Sequence, residues 1–177
     1  MPWQPLGTIF GGAYENGNRK NSMPPSGFTP VNVGGTFATH NGPLYARWHN
    51  EHLQFGFRVG EKHVNPGQNC HGGMLCMFVD ILISTAAQYQ TDIPRQFLPT
   101  ISLQVDFMAA APLGSWVQGQ AEILKVTRNL IFSQGLVEAD GQTALRTSGV
   151  FKRGPLLPDT TNDYELQLPG MPKQRRL

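Results

Sequence analysis

The chain has 177 residues, 40% of them apolar and 15% charged, with a formal net charge of +2. That length and balance suit one globular domain with a proper core, and they argue against a disordered chain or a basic nucleic-acid binder. Much of the positive excess sits in Lys173, Arg175 and Arg176, within the last five residues, and reads as a solvated tail. The most apolar stretch, Gly72 to Tyr89, carries Asp80 at its centre, so no membrane span is expected. Met1 to Asn18 has neither a basic leader nor a continuous apolar core, so no signal peptide is expected. Cys70 and Cys76 are the two cysteines. Both read as free thiols, which fits a reducing, cytoplasmic setting.

In chain order, residues 1–35 are rich in Gly, Pro, Asn and Ser and read as a loosely ordered extension. Between Thr36 and Trp48 an Asn41-Gly42 pair separates two strand-like runs, which predicts a hairpin. Leu53 to Val59 alternates as a strand, and the polar loop from His63 to Cys70 follows. After His71-Gly72-Gly73, the apolar run from Met74 to Ala87 predicts a helix. It is apolar on every side, as a central helix would be. Four strand-like segments come next, at Leu98–Ala110, Trp116–Val126, Leu130–Ala139 and Gln142–Phe151, with an Asp140-Gly141 turn before the last. Residues 154–177 read as a Pro-rich, basic surface tail. The expectation is an α+β domain over 36–153, in which a curved antiparallel sheet wraps one long helix.

Asp80 is the residue that needs explaining. Phe78, Val79, Ile81, Leu82 and Ile83 surround it in the sequence. A carboxylate among such neighbours costs several kcal/mol unless it is paired or hydrogen-bonded. It works in a cleft, caps a neighbouring loop, or faces water on a thin polar stripe with Ser84 and Gln88. Gly72 and Gly73 stand at the helix start, where backbone N–H groups lack intrahelical partners and the dipole is positive. Glycine there admits a close substrate, as an oxyanion hole requires; an ordinary flexible turn is the plain alternative. His71 by itself reads as an N-terminal cap or a packing residue rather than a catalytic base. The His49-x-x-His52 spacing has no metal-site context, and no Gly-x-Ser-x-Gly elbow is present.

The string His63-Val-Asn65-Pro-Gly67-Gln-Asn-Cys-His71-Gly72-Gly73, with Asp80 seven residues on, resembles the active-site segment of PaaI-type thioesterases of the hot-dog superfamily. Leu98-Pro-Thr100-Ile-Ser-Leu-Gln-Val-Asp-Phe107, Ala110-Ala-Pro-Leu-Gly114 and Val126-Thr-Arg128-Asn129 resemble later strands and turns of the same family. The resemblance spans roughly 36–153. It implies a hot-dog fold and hydrolysis of an acyl-CoA, with coenzyme A as part of the substrate and no separate cofactor or metal. It further implies Asp80 as general base or nucleophile, and the Gly72 amide, with Gly73, as oxyanion hole. Asn65 and His71 would orient the carbonyl or the glycine turn, and Thr100 would place the attacking water. Phe107, Arg128 and Asn129 would border the substrate. Two other readings stay open: a hot-dog protein that binds acyl thioesters without cleaving them, and an enoyl-thioester hydratase or dehydratase. The helix-borne hydratase arrangement wants a histidine at position 85, which is Thr here.

Gly72 and Asp80 are eight helical positions apart, about 12 Å at ~1.5 Å per residue. Reacting groups must come within about 3–3.5 Å, so one chain cannot place both on one carbonyl. Two antiparallel copies of the helix can. The expectation is a homodimer with two equivalent sites, with further pairing into a tetramer left open and no nucleic-acid or membrane partner.

Overall fold

The computed structural model describes residues 23–158 and 166–172. Most of the expected N-terminal extension and the basic cluster at 173–177 therefore lie outside the described residues. The elements are β1 (Thr29–Val31), α1 (Thr36–Asn41), β2 (Leu44–His49), β3 (His52–Arg58), α2 (Gly72–Tyr89), β4 (Thr100–Phe107), β5 (Trp116–Val126), β6 (Leu130–Ala139) and β7 (Gln142–Lys152). A single 3-10 turn at Glu61–His63 precedes the loop into α2. The seven strands form one antiparallel sheet in the order β1-β2-β3-β5-β6-β7-β4, wrapped around α2. This is the hot-dog fold.

The sheet grips the helix closely because its concave face is thinned by glycine. A Cβ at Gly149 would stand 2.6 Å from Ile83 Cδ1, and one at Gly119 would stand 2.9 Å from Leu82 Cδ2. Phe78, Val79, Leu82, Ile83, Ala86 and Ala87 are fully buried against that face. By length and composition α2 could cross a membrane, but in this fold the sheet covers much of it.

Two turns show why one hairpin signal held and another failed. Asp140 and Gly141 both take positive φ (48° and 85°) and close the β6–β7 hairpin between Ala139 and Gln142, as a two-residue turn of this twist requires. The Asn41-Gly42 pair does not make a hairpin. Thr36–Asn41 is instead a short helix, with the Thr39 amide donating to the Gly35 carbonyl and Asn41 Nδ2 donating to the Phe37 carbonyl. The physical reason is Pro43. A two-residue hairpin is closed by the N–H that follows the glycine, and proline has none. The first hairpin lies further on, between β2 and β3, with Asn50 and Glu51 at φ 50° and 63°.

Both flanking segments contribute more than a surface tail would. Thr29–Val31 pairs with β2 as an edge strand. After residue 158 the chain comes back, with Leu166 and Leu168 buried in the core cluster and the Leu166 amide donating to the Tyr89 hydroxyl at 2.8 Å.

Candidate active site

The loop between β3 and α2 is built from its own polar side chains. The Val64–Cys70 bridge closes it. Within it Asn65 Oδ1 accepts the Gly67 amide at 2.9 Å and the Asn69 amide at 3.3 Å. Asn65 therefore shapes the turn that presents the glycines. His63 is buried, with Nδ1 accepting the Gly60 amide (3.0 Å) and Nε2 donating to the Asn41 carbonyl (2.9 Å). Burial holds its pKa below the ordinary histidine value, so it stays neutral in this role. Cys70 is buried too, and its thiol is pushed up to about 12, which makes it inert.

His71 caps α2, its Nδ1 accepting the Gly73 amide at 2.9 Å. That bond takes up the Gly73 N–H, so Gly73 offers no second oxyanion donor in this conformation. The Gly72 N–H stands one residue earlier, at the helix tip, and has no acceptor among the described residues. The missing side chain matters here: a Cβ on Gly72 would lie 3.2 Å from Phe107 Cζ. The Phe107 ring thus packs where a Gly72 side chain would stand, while more than half of the residue stays exposed.

Two turns along the helix, half-buried Asp80 accepts a 2.7 Å hydrogen bond from the Thr100 hydroxyl. Alternation alone would not aim Thr100 there. Leu103 and Val105 pack toward the core, so a regular strand would turn the even-numbered residues away from the helix. The β4–β7 register slips between Thr100 and Ser102. Such a bulge re-aims a side chain, and Thr100 turns onto Asp80. Below Asp80, the Ser84 hydroxyl donates to the Asp80 carbonyl at 2.6 Å.

The expected site residues thus fall into two groups at opposite ends of β4. Gly72, Gly73, His71, Asn65 and Phe107 gather at one end. Asp80 and Thr100 meet at the other. Arg128 and Asn129 are exposed in the β5–β6 turn, next to β7: the Arg153 amide donates to the Asn129 carbonyl at 2.8 Å, and the neighbouring Lys152 amide donates to the Pro99 carbonyl at 2.9 Å. They therefore share the Asp80–Thr100 end. Of the apolar residues near the motif, Phe78 is core and Met74 and Met77 are buried, while Met108 is exposed.

A cavity of about 430 Å³ also lies along the second half of α2 and includes Ser84, Thr85, Gln88 and Gln96. The sequence reading did not find it. The signal was present in the polar spacing Asp80, Ser84, Gln88, which puts all three on one helical face. The walls, however, come from distant segments.

A sequence-family profile described as Thioesterase superfamily matches residues 67–145. A Pseudomonas aeruginosa protein that bears the name "putative esterase" is 27% identical over 128 residues, covering 72% of this chain and 95% of its own. The solved structure of a Ralstonia eutropha protein described as a "putative thioesterase, phenylacetic acid degradation-related protein" superposes with TM-score 0.59 at 20% identity. It covers 67% of this chain and 90% of that one. A Streptococcus pneumoniae protein titled a hypothetical thioesterase, solved with coenzyme A, superposes with TM-score 0.56 at 15% identity, covering 64% and 88%. Taken with the fold, these matches make the chain a hot-dog-fold protein similar to members of the thioesterase superfamily.

Proposed function

We propose that the protein hydrolyses an acyl-CoA thioester to the free acid and coenzyme A. One observation carries the reading: a carboxylate, Asp80, is set in an otherwise apolar helix and backed by the Thr100 hydroxyl at 2.7 Å. Such a group is costly to maintain and suited to accept a proton. In the proposed step Asp80 takes a proton from water as the water oxygen attacks the thioester carbonyl. An open Gly72 amide holds the oxyanion. Collapse breaks the C–S bond, and the coenzyme A thiolate leaves and is protonated. Asp80 can alternatively attack directly, forming an anhydride that water then opens. The sequence-family match and the coenzyme A in the S. pneumoniae structure support this substrate class. Arg128, at the Asp80 end of the sheet, would face the nucleotide phosphates.

The site is read as shared between two copies. Gly72 and Asp80 of one chain stand about 12 Å apart along α2, and β4 has a free edge, since it pairs only with β7 among the described residues. Ile101, Phe107 and Met108, on or beside that edge, are each more than half exposed. An exposed edge of this length invites strand pairing. Antiparallel pairing of two β4 strands about an axis between Leu103 and Gln104 would set Thr100 across from the partner's Phe107. It would thereby bring Asp80 toward the partner's Gly72.

The test is thiol release from a panel of short, medium, long and aromatic acyl-CoAs, beside Asp80→Ala and Asp80→Asn. Turnover by wild type with a loss of about 10²-fold or more in both variants, at unchanged oligomeric state, supports the assignment. An inert wild type, or variants of equal activity, would overturn it and favour a binding role.

A further inference from the structure

The cavity of about 430 Å³ on the second half of α2 is large enough for a small ligand. Val33, Phe97, Leu98, Leu157 and Leu166 give it apolar walls, and Ser84, Thr85 and Gln88 on α2 form its floor. Ser84 follows Asp80 by one helical turn, so the cavity begins one turn beyond the carboxylate, which is not part of its lining. Its far end is fixed by the 95–97 segment, which is tied to the tail by the Gln96–Leu156 bridge and by the Phe97 amide donating to the Pro155 carbonyl at 2.9 Å. Gln88 Nε2 donates to the Gln96 carbonyl and holds that segment over the helix.

Gln96 itself is the anomaly. The residue is 4% exposed, lines the cavity, and its Nε2 is buried with no hydrogen-bond partner among the described residues. A buried amide donor without an acceptor costs about 1–3 kcal/mol, so such a group in a native fold calls for a partner. Ser84, Thr85, Gln88 and Tyr89 also line the cavity, yet none of the described residues accepts from this amide. A ligand in the cavity would supply the acceptor.

We infer that Gln96 is a specificity-determining residue which donates a hydrogen bond to an oxygen on the acyl group, remote from the thioester. This rests on the hydrolase reading above and narrows its substrate class. Gln88 follows Asp80 by eight residues, about 12 Å along the helix, so the acceptor lies well down the chain. The acyl group is of medium length, largely apolar, and bears a keto, hydroxyl or carboxylate oxygen toward its far end. An unsubstituted chain of equal length fills the walls but leaves the Gln96 donor unpaired, and sites built to bond a substrate group discriminate strongly against analogues that lack it.

The experiment compares octanoyl-CoA with the same chain carrying a keto oxygen near its terminus, and with the mono-CoA ester of the corresponding dicarboxylic acid. Each is assayed with wild type, Gln96→Met and Gln96→Glu. The expected result is a kcat/KM preference for an oxygenated chain of about tenfold or more, lost in Gln96→Met, with Gln96→Glu rejecting the carboxylate chain most. The keto and carboxylate arms tell which oxygen is read. Equal turnover of all three chains, or a preference that survives in Gln96→Met, overturns the inference and leaves hydrolysis standing. If no thioester is cleaved, hydrolysis fails, and binding of the matching free acids to the intact protein decides the cavity. Tighter binding of the oxygenated acid by wild type than by Gln96→Met then upholds the role of Gln96, and equal binding ends it.

Discussion

The start and the middle of α2 lie in one sheet wrap yet present opposite kinds of group. The helix begins with an open donor, the Gly72 amide, near the Phe107 ring. Midway along it stands an acceptor, Asp80, and below that the second half carries a polar stripe that floors a cavity. Glycines thin the sheet under the second half, where Ile83 and Leu82 press into it. On the function proposed above, one helix supplies the two complementary parts of a thioester site about 12 Å apart, and a second copy would join them.

The sharpest way to break that comparison is to damage each half separately. Asp80→Asn and Gly72→Val are each expected to lower kcat by about 10²-fold or more. If each site takes one half from each copy, co-expression of the two variants restores activity, since every mixed dimer regains one intact site. Random pairing then gives roughly a quarter of wild-type turnover. No recovery beyond the sum of the two variants, measured on purified mixed dimers, would mean that each chain works alone.

The next effect concerns stability. Gly149→Ala puts a methyl 2.6 Å from Ile83 Cδ1, and overpacking of this kind costs about 1–3 kcal/mol. Urea unfolding should show a lower midpoint at unchanged slope. Thr100→Val removes the hydrogen bond to Asp80 and is expected to cost about 1 kcal/mol, roughly a five- to tenfold fall in kcat. Unchanged kinetics there would show the bulge at Thr100 to be incidental. Smallest is Tyr89→Phe, which loses the bond from the Leu166 amide and should cost ~0.5–1.5 kcal/mol of stability, read as a fall in Tm.

Much of this was legible beforehand. The boundaries of β5 and β6, the start of α2 and the Asp140-Gly141 turn follow from local rules, and so they could be read from local sequence. The Asp80 anomaly was visible because a charge in an apolar run breaks a pattern. What escaped depends on long-range register. The aim of Thr100 is set by a slip against β7, and no alternation pattern records a slip. The role of Gln96 depends on segments 33–35, 157 and 166 meeting over one helix face. His71 illustrates the middle case. Capping was one of the two roles expected of it, but the consequence that Gly73 would be spent on the bond was not.

Leu166 has a consequence in the order of synthesis. It is made after every strand and the helix, yet it roofs the cavity that the earlier elements floor. A nascent chain can complete its sheet while that cavity still stands open on one side, because domains form from the N-terminal end as they emerge. Closing the roof is therefore a late event, and a chain stopped at residue 158 would keep the whole sheet and helix but lack that wall.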